Sequence, residues 1–379
     1  MTLRAVTGFW EPATLGRGAV RSGEVYFRLF EDLHRSVSLP MTIFIDPVWA
    51  GPLDAMLARV PARHERLVVR RSFQELPHAA RLSDPDFRSL LPPDNRSESG
   101  KDTHAFAVMT WAKAALLADA AALAPDAESL AWLDFGLAHV SMLQPVDWRA
   151  IERACPERAR LCEMRATHPA ELADDVDFYR AIRGKIASGM ITVGRPYVEA
   201  LRDAVNAEVE RAIASRRLTL EENIYGALGT RRSELFATPW FSDYHGVVTN
   251  YVDIVRDISC VLDNLAYCRD RSLYPRAVEI FRAVHRSLRH GLLRLDAADF
   301  VRLLHDGFIA AFYVDRPLAE DIARRITALA RFAPALHGRF DTPLIRANLA
   351  HVRADLDRPE LDWSSFAMLD DFTAWRSVL

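Results

Sequence analysis

The stretch Ala131-Trp132-Leu133-Asp134-Phe135-Gly136-Leu137-Ala138-His139 is an apolar run that ends in a single acid. The lead-in predicts a short buried strand, so Asp134 falls at its carboxyl end, where open α/β sheets bind their ligands. Gly136 would let a bulky polyanion approach the backbone. A carboxylate at Asp134 can hold a divalent cation, and the cation can hold a diphosphate. The alternative is a strand that ends in a solvated acid and turns at glycine.

The residues on either side of this stretch alternate between strand and helix patterns. Upstream, strands are predicted over 3–9, 41–45 and 67–69, with helices over 23–37, 53–60 and 103–122. This alternation predicts a mixed, mostly parallel sheet flanked by helices. Residues 73–101 have no clean period, so they predict a long surface excursion.

Downstream of the stretch, the sheet pattern continues and then stops. Strands are predicted over 160–166 and 185–194, the second interrupted at Ser188-Gly189. A helix is predicted over 195–215, and Thr219 with Glu222 predicts a capping box for the next one. From about residue 251 every predicted element is a helix. We therefore predict an α/β domain over 1–250 and an all-α domain over 251–379.

The overall composition is that of an ordinary globular protein, with 379 residues, 50% of them hydrophobic and 26% charged. A formal net charge of −3 gives no basic field, so we expect no nucleic-acid partner. The 4 cysteines form no CxxC pair, and no histidines are spaced to complete a zinc site. We find no signal-peptide pattern and no apolar run of the ~20 residues that a bilayer span needs, so a cytoplasmic location is expected.

Taken in order, several pieces over roughly residues 4–250 resemble the HtrL/WlaTC family of bacterial glycosyltransferases, which have the GT-A fold. More distantly they resemble the glycogenin-like glycosyltransferases. Thr7-Gly8-Phe9 is similar to the first strand of that family, which meets the nucleotide. The segment from Arg21 to Tyr26 is similar to an arginine and tyrosine stretch, and Asp46 to the acid that ends the second strand.

The resemblance continues through the acid stretch and beyond it. Lys113 stands in the helix before the metal strand, where the family carries a basic residue, and Asp134-Phe135-Gly136 takes the place of the metal-binding motif. Ser188-Gly189 resembles a small-residue strand near the acceptor. Glu221-Glu222 resembles an acidic helix start, and His245 resembles a late histidine that completes the metal shell. The usual GT-A motif has a second acid where this chain has Gly136.

This resemblance implies a glycosyltransferase that moves a sugar from a nucleotide-sugar donor, with a UDP-sugar favoured, to a hydroxyl acceptor. The implied acceptor is a glycan or lipid-linked glycan in lipopolysaccharide or capsule synthesis. The implied cofactor is Mn²⁺ or Mg²⁺ held by Asp134 and His245, although Gly136 puts that requirement in doubt. The implied catalytic residues are Glu221, Glu222 and Asp134. The implied nucleotide-sugar-binding residues are Thr7, Gly8, Phe9, Arg21, Asp46, Lys113, Asp134, Gly136, Ser188 and Gly189.

Each candidate also has a structural alternative. Lys113 reads equally well as a solvated helix lysine, and Asp46 as a turn cap before Pro47. One of the two glutamates reads as part of a capping box. For the whole chain, the alternative is a non-catalytic nucleotide-sugar or glycan-binding protein with a degenerate transferase site.

The helical part carries its own expectation. Its arginines, Arg282, Arg286, Arg289 and Arg294, would suit peripheral contact with anionic lipids at the inner face of the membrane, with a solvated helix face as the alternative.

Overall fold

The computed structural model describes residues 2–11, 22–60, 64–95, 103–141, 143, 146–256, 258–332, 334–340, 345 and 348–349. In this part of the chain the strands of one seven-stranded sheet are β1 Leu3–Phe9, β2 Met41–Ile45, β3 Arg66–Arg70, β4 Ser129–Leu133, β5 Arg160–Glu163, β6 Ile186–Gly194 and β7 Trp240–Phe241. The helices that precede β7 are α1 Gly23–Ser36, α2 Ala50–Arg59, α3 Pro85–Arg88, α4 His104–Trp111, α5 Lys113–Leu123, α6 Trp148–Ala154, α7 Asp175–Tyr179, α8 Val198–Ala214 and α9 Glu221–Arg231. The helices after it are α10 Ile258–Asp270, α11 Tyr274–Arg289, α12 Ala297–Val314, α13 Arg316–Phe332 and α14 Pro334–His337.

The order of strands across the sheet is β3-β2-β1-β4-β6-β5-β7. The pairs β1–β2, β2–β3 and β1–β4 are parallel, whereas β6 runs antiparallel to both β4 and β5. The chain leaves β1 toward β2 and β3 on one side, and then returns with β4 on the other side. This reversal opens a crevice at the carboxyl ends of β1 and β4, which is where open α/β sheets bind ligands.

The predicted strands are present in the structure. They could be recognised because buried strands are continuous apolar segments in the sequence. Every residue of β2, β4 and β6 is buried, as expected for strands covered by helices on both faces. The strand β6 is continuous over nine residues, but its pairing with β5 jumps from Ile191 to Ala187, so the ladder is interrupted across the predicted pair Ser188-Gly189. The predicted fold class, a mixed, mostly parallel sheet flanked by helices and followed by an α-helical region, is confirmed.

The apolar segment before β4 differs from its prediction in two ways. The single predicted helix over 103–122 is two helices, α4 and α5, because the chain turns at Ala112 between them. By length and composition alone, His104–Leu123 is also apolar enough to cross a membrane, which contradicts the expectation that no run is long enough. Within the described residues, however, 72% of the apolar window in this segment is buried, as in the core helix of a globular unit.

Two further predictions need correction. The described part of the segment 73–101 is mostly exposed, as a surface excursion should be, but Phe73, Phe87 and Leu90 anchor it in the core cluster. The capping box does not form, since α9 begins at Glu221 with Leu220 at the N-cap position. The Thr219 hydroxyl instead accepts a hydrogen bond from the Asn223 side chain at 2.9 Å. In both cases tertiary contacts supply partners that a local reading does not show.

The chain divides into two compact units. The first comprises residues 1–163, 167–240 and 244–252, and the second residues 164–166, 241–243 and 253–379. The second unit has its own apolar core, where α11 and α12 approach so closely that a Cβ at Gly307 would overlap the Phe281 ring. In this unit Arg286 pairs with Asp253 at 3.0 Å and Arg282 pairs with Asp315. These pairs favour a solvated helix face over a free cationic patch.

Candidate active site

A pocket of about 120 Å³ lies in the first unit, in the crevice at the carboxyl ends of β1 and β4. Its lining combines aromatic side chains with a few charged ones. The lining residues are Gly8, Phe9, Trp10, Tyr26, Phe106, Met109, Thr110, Lys113, Trp132, Asp134, Phe135, Gly136, His139 and Glu221. Mostly apolar walls with a few convergent polar groups are the usual make-up of a small-molecule site.

Asp134 lies directly after β4, and the backbone fixes its position. Its N–H donates to the carbonyl of Gly189 at 2.9 Å, and its carbonyl accepts from the N–H of Leu137 at 2.9 Å. Its carboxylate oxygen Oδ1 accepts from the indole of Trp132 at 2.6 Å and from the ammonium of Lys113 at 2.8 Å. Neither bond uses Oδ2, and the Asp134 side chain is 39% exposed. Oδ2 is therefore the oxygen that this carboxylate can offer to a ligand.

The ammonium of Lys113 joins three elements of the first unit. Besides Asp134, its Nζ donates to Glu221 Oε1 at 2.9 Å and to the carbonyl of Ser188 at 3.1 Å. An ammonium has three N–H donors, so these three protein oxygens account for all of them. Lys113 is only 3% exposed. Its place in the cluster is that of a group that fixes two carboxylates, and the alternative of a solvated helix lysine does not hold.

The charges in this cluster stabilise one another. Burial alone would lower the pKa of Lys113, but the carboxylates of Asp134 and Glu221 outweigh it and the pKa is raised. Burial alone would raise the pKa of Glu221, but the Lys113 ammonium and the Ser188 hydroxyl outweigh it and the pKa is lowered. The Ser188 hydroxyl donates to Glu221 Oε1 at 2.8 Å. Lys113 and Glu221 are therefore both charged near neutral pH, and the formal charges of Lys113, Glu221 and Asp134 sum to −1.

Two tyrosines lie close enough to this cluster for its charges to affect their pKa values. Burial raises the pKa of Tyr225, and its buried hydroxyl has no hydrogen-bond partner among the described residues. Burial and then the Glu222 carboxylate raise the pKa of Tyr244, whose hydroxyl donates to Glu222. Both phenols stay protonated at neutral pH. Glu222 is engaged by Tyr244 and does not line the pocket, whereas Glu221 does.

Two glycines of the site, Gly136 and Gly189, are required by packing. A Cβ at Gly136 would lie 2.8 Å from Cε1 of Tyr26, so the ring of Tyr26 occupies the space that a side chain would need. The sequence argument assigned that space to an approaching polyanion. A Cβ at Gly189 would lie 2.9 Å from Leu137 Cδ1 and 3.8 Å from Asp134 Oδ2. Gly189 therefore lets the turn after β4 pack against β6.

Most of the predicted site residues do meet. Six of them line the pocket, namely Gly8, Phe9, Lys113, Asp134, Gly136 and Glu221. Ser188 and Gly189 lie beside it through the bonds described above. Thr7 is fully buried, and its hydroxyl lacks a partner among the described residues.

The remaining predicted residues lie elsewhere. Asp46 accepts from the N–H of Val48 at 3.1 Å, which matches its alternative as a turn cap. His245 is exposed and is not among the lining residues. Arg21 falls outside the described residues.

Some pocket residues were not predicted to have a functional role, notably Trp132, Trp10, Phe106 and Met109. Trp132 had a usable signal, because it stands two residues before Asp134 and so projects from the same face of the strand. Phe106 and Met109 are half-buried residues of α4, and no local pattern distinguishes them from core positions.

The donor set does not fit a divalent ion held by protein ligands alone. No group of three or more His, Cys, Asp or Glu side chains in the described part of the chain is arranged to hold a metal. The Lys113 ammonium already engages Asp134 Oδ1 and Glu221 Oε1. One ring nitrogen of His139 is engaged by the carbonyl of Gly136. The bonds described above leave two carboxylate oxygens of this cluster, Asp134 Oδ2 and Glu221 Oε2, whereas Mn²⁺ or Mg²⁺ favours about six ligands.

No family model matches this sequence, and no curated protein matches it. Among solved structures, this chain is similar to the apo form of mouse xyloside xylosyltransferase 1, with a TM-score of 0.36 and 10% sequence identity. The match covers 62% of this chain and 84% of that chain. A similarity of this size assigns neither a family nor a function. Membership in the HtrL/WlaTC family therefore stays a prediction.

Proposed function

We propose that the first unit is a glycosyltransferase that binds a nucleotide-activated sugar at the pocket and transfers its glycosyl group to a hydroxyl acceptor. The observation that carries this proposal is the position of Asp134. It is a partly exposed acid at the carboxyl end of β4, beside β1, in an aromatic-walled crevice where the strand order reverses. Such crevices suit nucleotide-containing ligands in open α/β sheets.

The reaction would break the bond between the anomeric carbon and the diphosphate oxygen and form a bond to the acceptor oxygen. The acceptor proton must go to a base, and the two reactants must be held in line. Asp134 Oδ2 is the carboxylate oxygen placed to accept a hydroxyl hydrogen in the pocket. Glu221 is a weaker base, because the hydrogen bonds from Lys113 and Ser188 lower the pKa of its carboxyl group. Its role in the proposal is to position Lys113 and, through it, Asp134.

The finer assignments rest on the sequence resemblance. They are a UDP-sugar donor, a glycan or lipid-linked glycan acceptor in surface glycan synthesis, and a cytoplasmic location at the inner face of the membrane. Mn²⁺ or Mg²⁺, when bound, would neutralise charge on the leaving diphosphate. Because the donor set of the described residues does not fit that ion, no step of the proposal passes through it.

The test is a thermal-shift series with UDP, GDP, CDP and ADP on the full chain. We expect one nucleotide to raise the unfolding midpoint, since a ligand that binds only the folded state stabilises it. When the matching nucleotide-sugar replaces the free nucleotide, Asp134→Asn should reduce the gain. Asp46→Asn is the matched control, because it changes another strand-end acid outside the pocket. If no nucleotide shifts the midpoint of the wild type, the proposal is wrong.

A second candidate function is binding without transfer, by a site that has lost its chemistry. The observation in its favour is that Lys113 uses all its donors on the protein and keeps Glu221 ionised. This candidate predicts nucleotide-sugar binding with no release of free nucleotide. Hydrolysis or transfer of the donor, lost in Asp134→Asn, would exclude it.

A further inference from the structure

The strongest unexplained feature of the first unit is a cation that the chain itself supplies. The Nζ atom of Lys113 lies 2.8 Å from Asp134 Oδ1, 2.9 Å from Glu221 Oε1 and 3.1 Å from the carbonyl oxygen of Ser188. These oxygens come from the end of β4, the start of α9 and the middle of β6. An oxygen shell drawn from three elements is the arrangement in which proteins also hold hard metal ions.

We propose that the Lys113 ammonium is the resident cation of this site, so that the wild-type protein binds its ligand without a divalent metal ion. A metal shared by the two carboxylates would have to lie between Asp134 Oδ1 and Glu221 Oε1, and the ammonium occupies that position. A metal on the outer oxygens, Asp134 Oδ2 and Glu221 Oε2, would have at most two protein ligands and a fixed positive charge close by.

Burial makes this cation permanent. Lys113 is 3% exposed and Glu221 is 7% exposed, so water does not readily replace either partner. The raised pKa of Lys113 keeps the ammonium charged through the physiological range. A mobile metal ion would therefore compete against a tethered charge that never leaves the site.

The net charge of the cluster also indicates what Asp134 contacts. One ammonium between two carboxylates leaves −1, which disfavours direct contact with phosphate oxygens. Sugar hydroxyls can donate to Asp134 Oδ2, and the aromatic walls can pack against the sugar ring. We therefore assign Asp134 to the sugar ring of the ligand. This assignment rests on the proposed function, whereas the exclusion of metal does not.

The same geometry predicts that removing the ammonium creates a metal site. Lys113→Ala would leave two carboxylate oxygens facing a space of ammonium size or larger. The matched control is Lys185→Ala, because Lys185 is also buried and pairs with the carboxylate of Glu171 at 2.9 Å, but does not line the pocket.

The experiment is a titration of Mn²⁺ by electron paramagnetic resonance with the full chain. We expect wild type and Lys185→Ala to leave Mn²⁺ free into the millimolar range. Lys113→Ala should bind one Mn²⁺ ion, and adding Asp134→Asn to that variant should release it. Binding of Mn²⁺ by the wild type that Asp134→Asn abolishes would overturn the proposal. So would a folded Lys113→Ala variant that leaves Mn²⁺ free.

A second measurement decides the case where Lys113→Ala does not fold. UDP is added to the wild type with either EDTA or Mn²⁺, and the shift in unfolding midpoint is compared. Equal shifts support the resident ammonium, and a shift that needs Mn²⁺ overturns it. If UDP gives no shift in either condition, the UDP-sugar assignment fails, while the Mn²⁺ titration of the wild type still decides the metal question by itself.

Discussion

Replacement of Lys113 by methionine tests the ion cluster most directly, because methionine keeps the length of the side chain and removes the charge. The change leaves the Asp134 and Glu221 carboxylates near each other with no cation between them. Removing one partner of a buried ion pair costs about 3–5 kcal/mol, since the remaining charge is buried without compensation. We expect a loss of that size, because Lys113 is 3% exposed and Glu221 is 7% exposed.

The assay is urea unfolding followed by tryptophan fluorescence, with Glu221→Gln and the double variant measured alongside. Glu221→Gln keeps the pair of Lys113 with Asp134, so its cost should be smaller, about 1–3 kcal/mol. The double variant should lose less free energy of unfolding than the two single variants lose together. The reason is that it also removes the Glu221 carboxylate, which Lys113→Met leaves buried without a cation. Coupling of about 0.5–3 kcal/mol is usual for groups in direct contact.

The result that refutes this reasoning is a cost below about 1 kcal/mol for Lys113→Met, the level of an exposed ion pair. Additivity of the two changes would refute it as well. If Lys113→Met kept the free energy of unfolding of the wild type, the carboxylates of Asp134 and Glu221 would have moved apart in the variant. Lys113 would then not be the group that holds them in place.

The free energy of unfolding of the same variants should depend on pH in a direction that the pKa shifts define. The lowered pKa of Glu221 stabilises the fold above its ordinary value of about 4.3, and this contribution is lost as the pH falls through the lowered pKa. The raised pKa of Lys113 stabilises the fold below about 10.4, and this contribution is lost as the pH rises through the raised pKa. In Lys113→Met the ammonium is gone and burial raises the pKa of Glu221 instead, so the stability difference between wild type and variant should be largest between neutral pH and about pH 10 and should narrow as the pH falls.

Three further substitutions have expected outcomes. Gly136→Ala should displace the ring of Tyr26 and weaken nucleotide binding in the thermal-shift assay, whereas Gly51→Ala, which meets no atom within 4 Å, should leave binding unchanged. His34 is buried, and that burial, followed by the charge of Arg66, lowers its pKa to about 4. Wild type should lose about 3 kcal/mol as the pH falls from about 6.5 to 4, and His34→Gln should lose less over that range in urea unfolding. Gly307→Ala should destabilise the second unit by about 1–3 kcal/mol in the same assay, because the new methyl group overlaps the Phe281 ring; an unchanged midpoint would show that the ring can move.

Local sequence was sufficient for the strands that form the pocket edge. The predicted bounds 3–9 and 41–45 match β1 and β2, and Asp134 does follow a buried strand. These predictions succeed because burial on both faces forces an apolar run, and a run that ends in a polar residue marks the edge of the sheet.

Local sequence was misleading where the partner of a residue lies far along the chain. The segment after Phe73 looks polar and aperiodic, yet its few apolar side chains reach the core. Thr219 and Glu222 have the spacing of a capping box, but Asn223 takes the Thr219 hydroxyl. Short-range patterns describe what a residue can do, and competition from tertiary contacts decides which option is used.

The sequence by itself determined an α/β sheet, a helical region after it and an acid at the ligand-binding edge. Only the tertiary structure decided that this acid shares an ammonium with Glu221, which lies 108 residues from Lys113 in the chain. The physical reason is the strand order. Because β6 pairs antiparallel with β4, Ser188 comes next to Asp134, and its hydroxyl bonds Glu221 at the start of α9; no periodicity in these segments encodes that pairing.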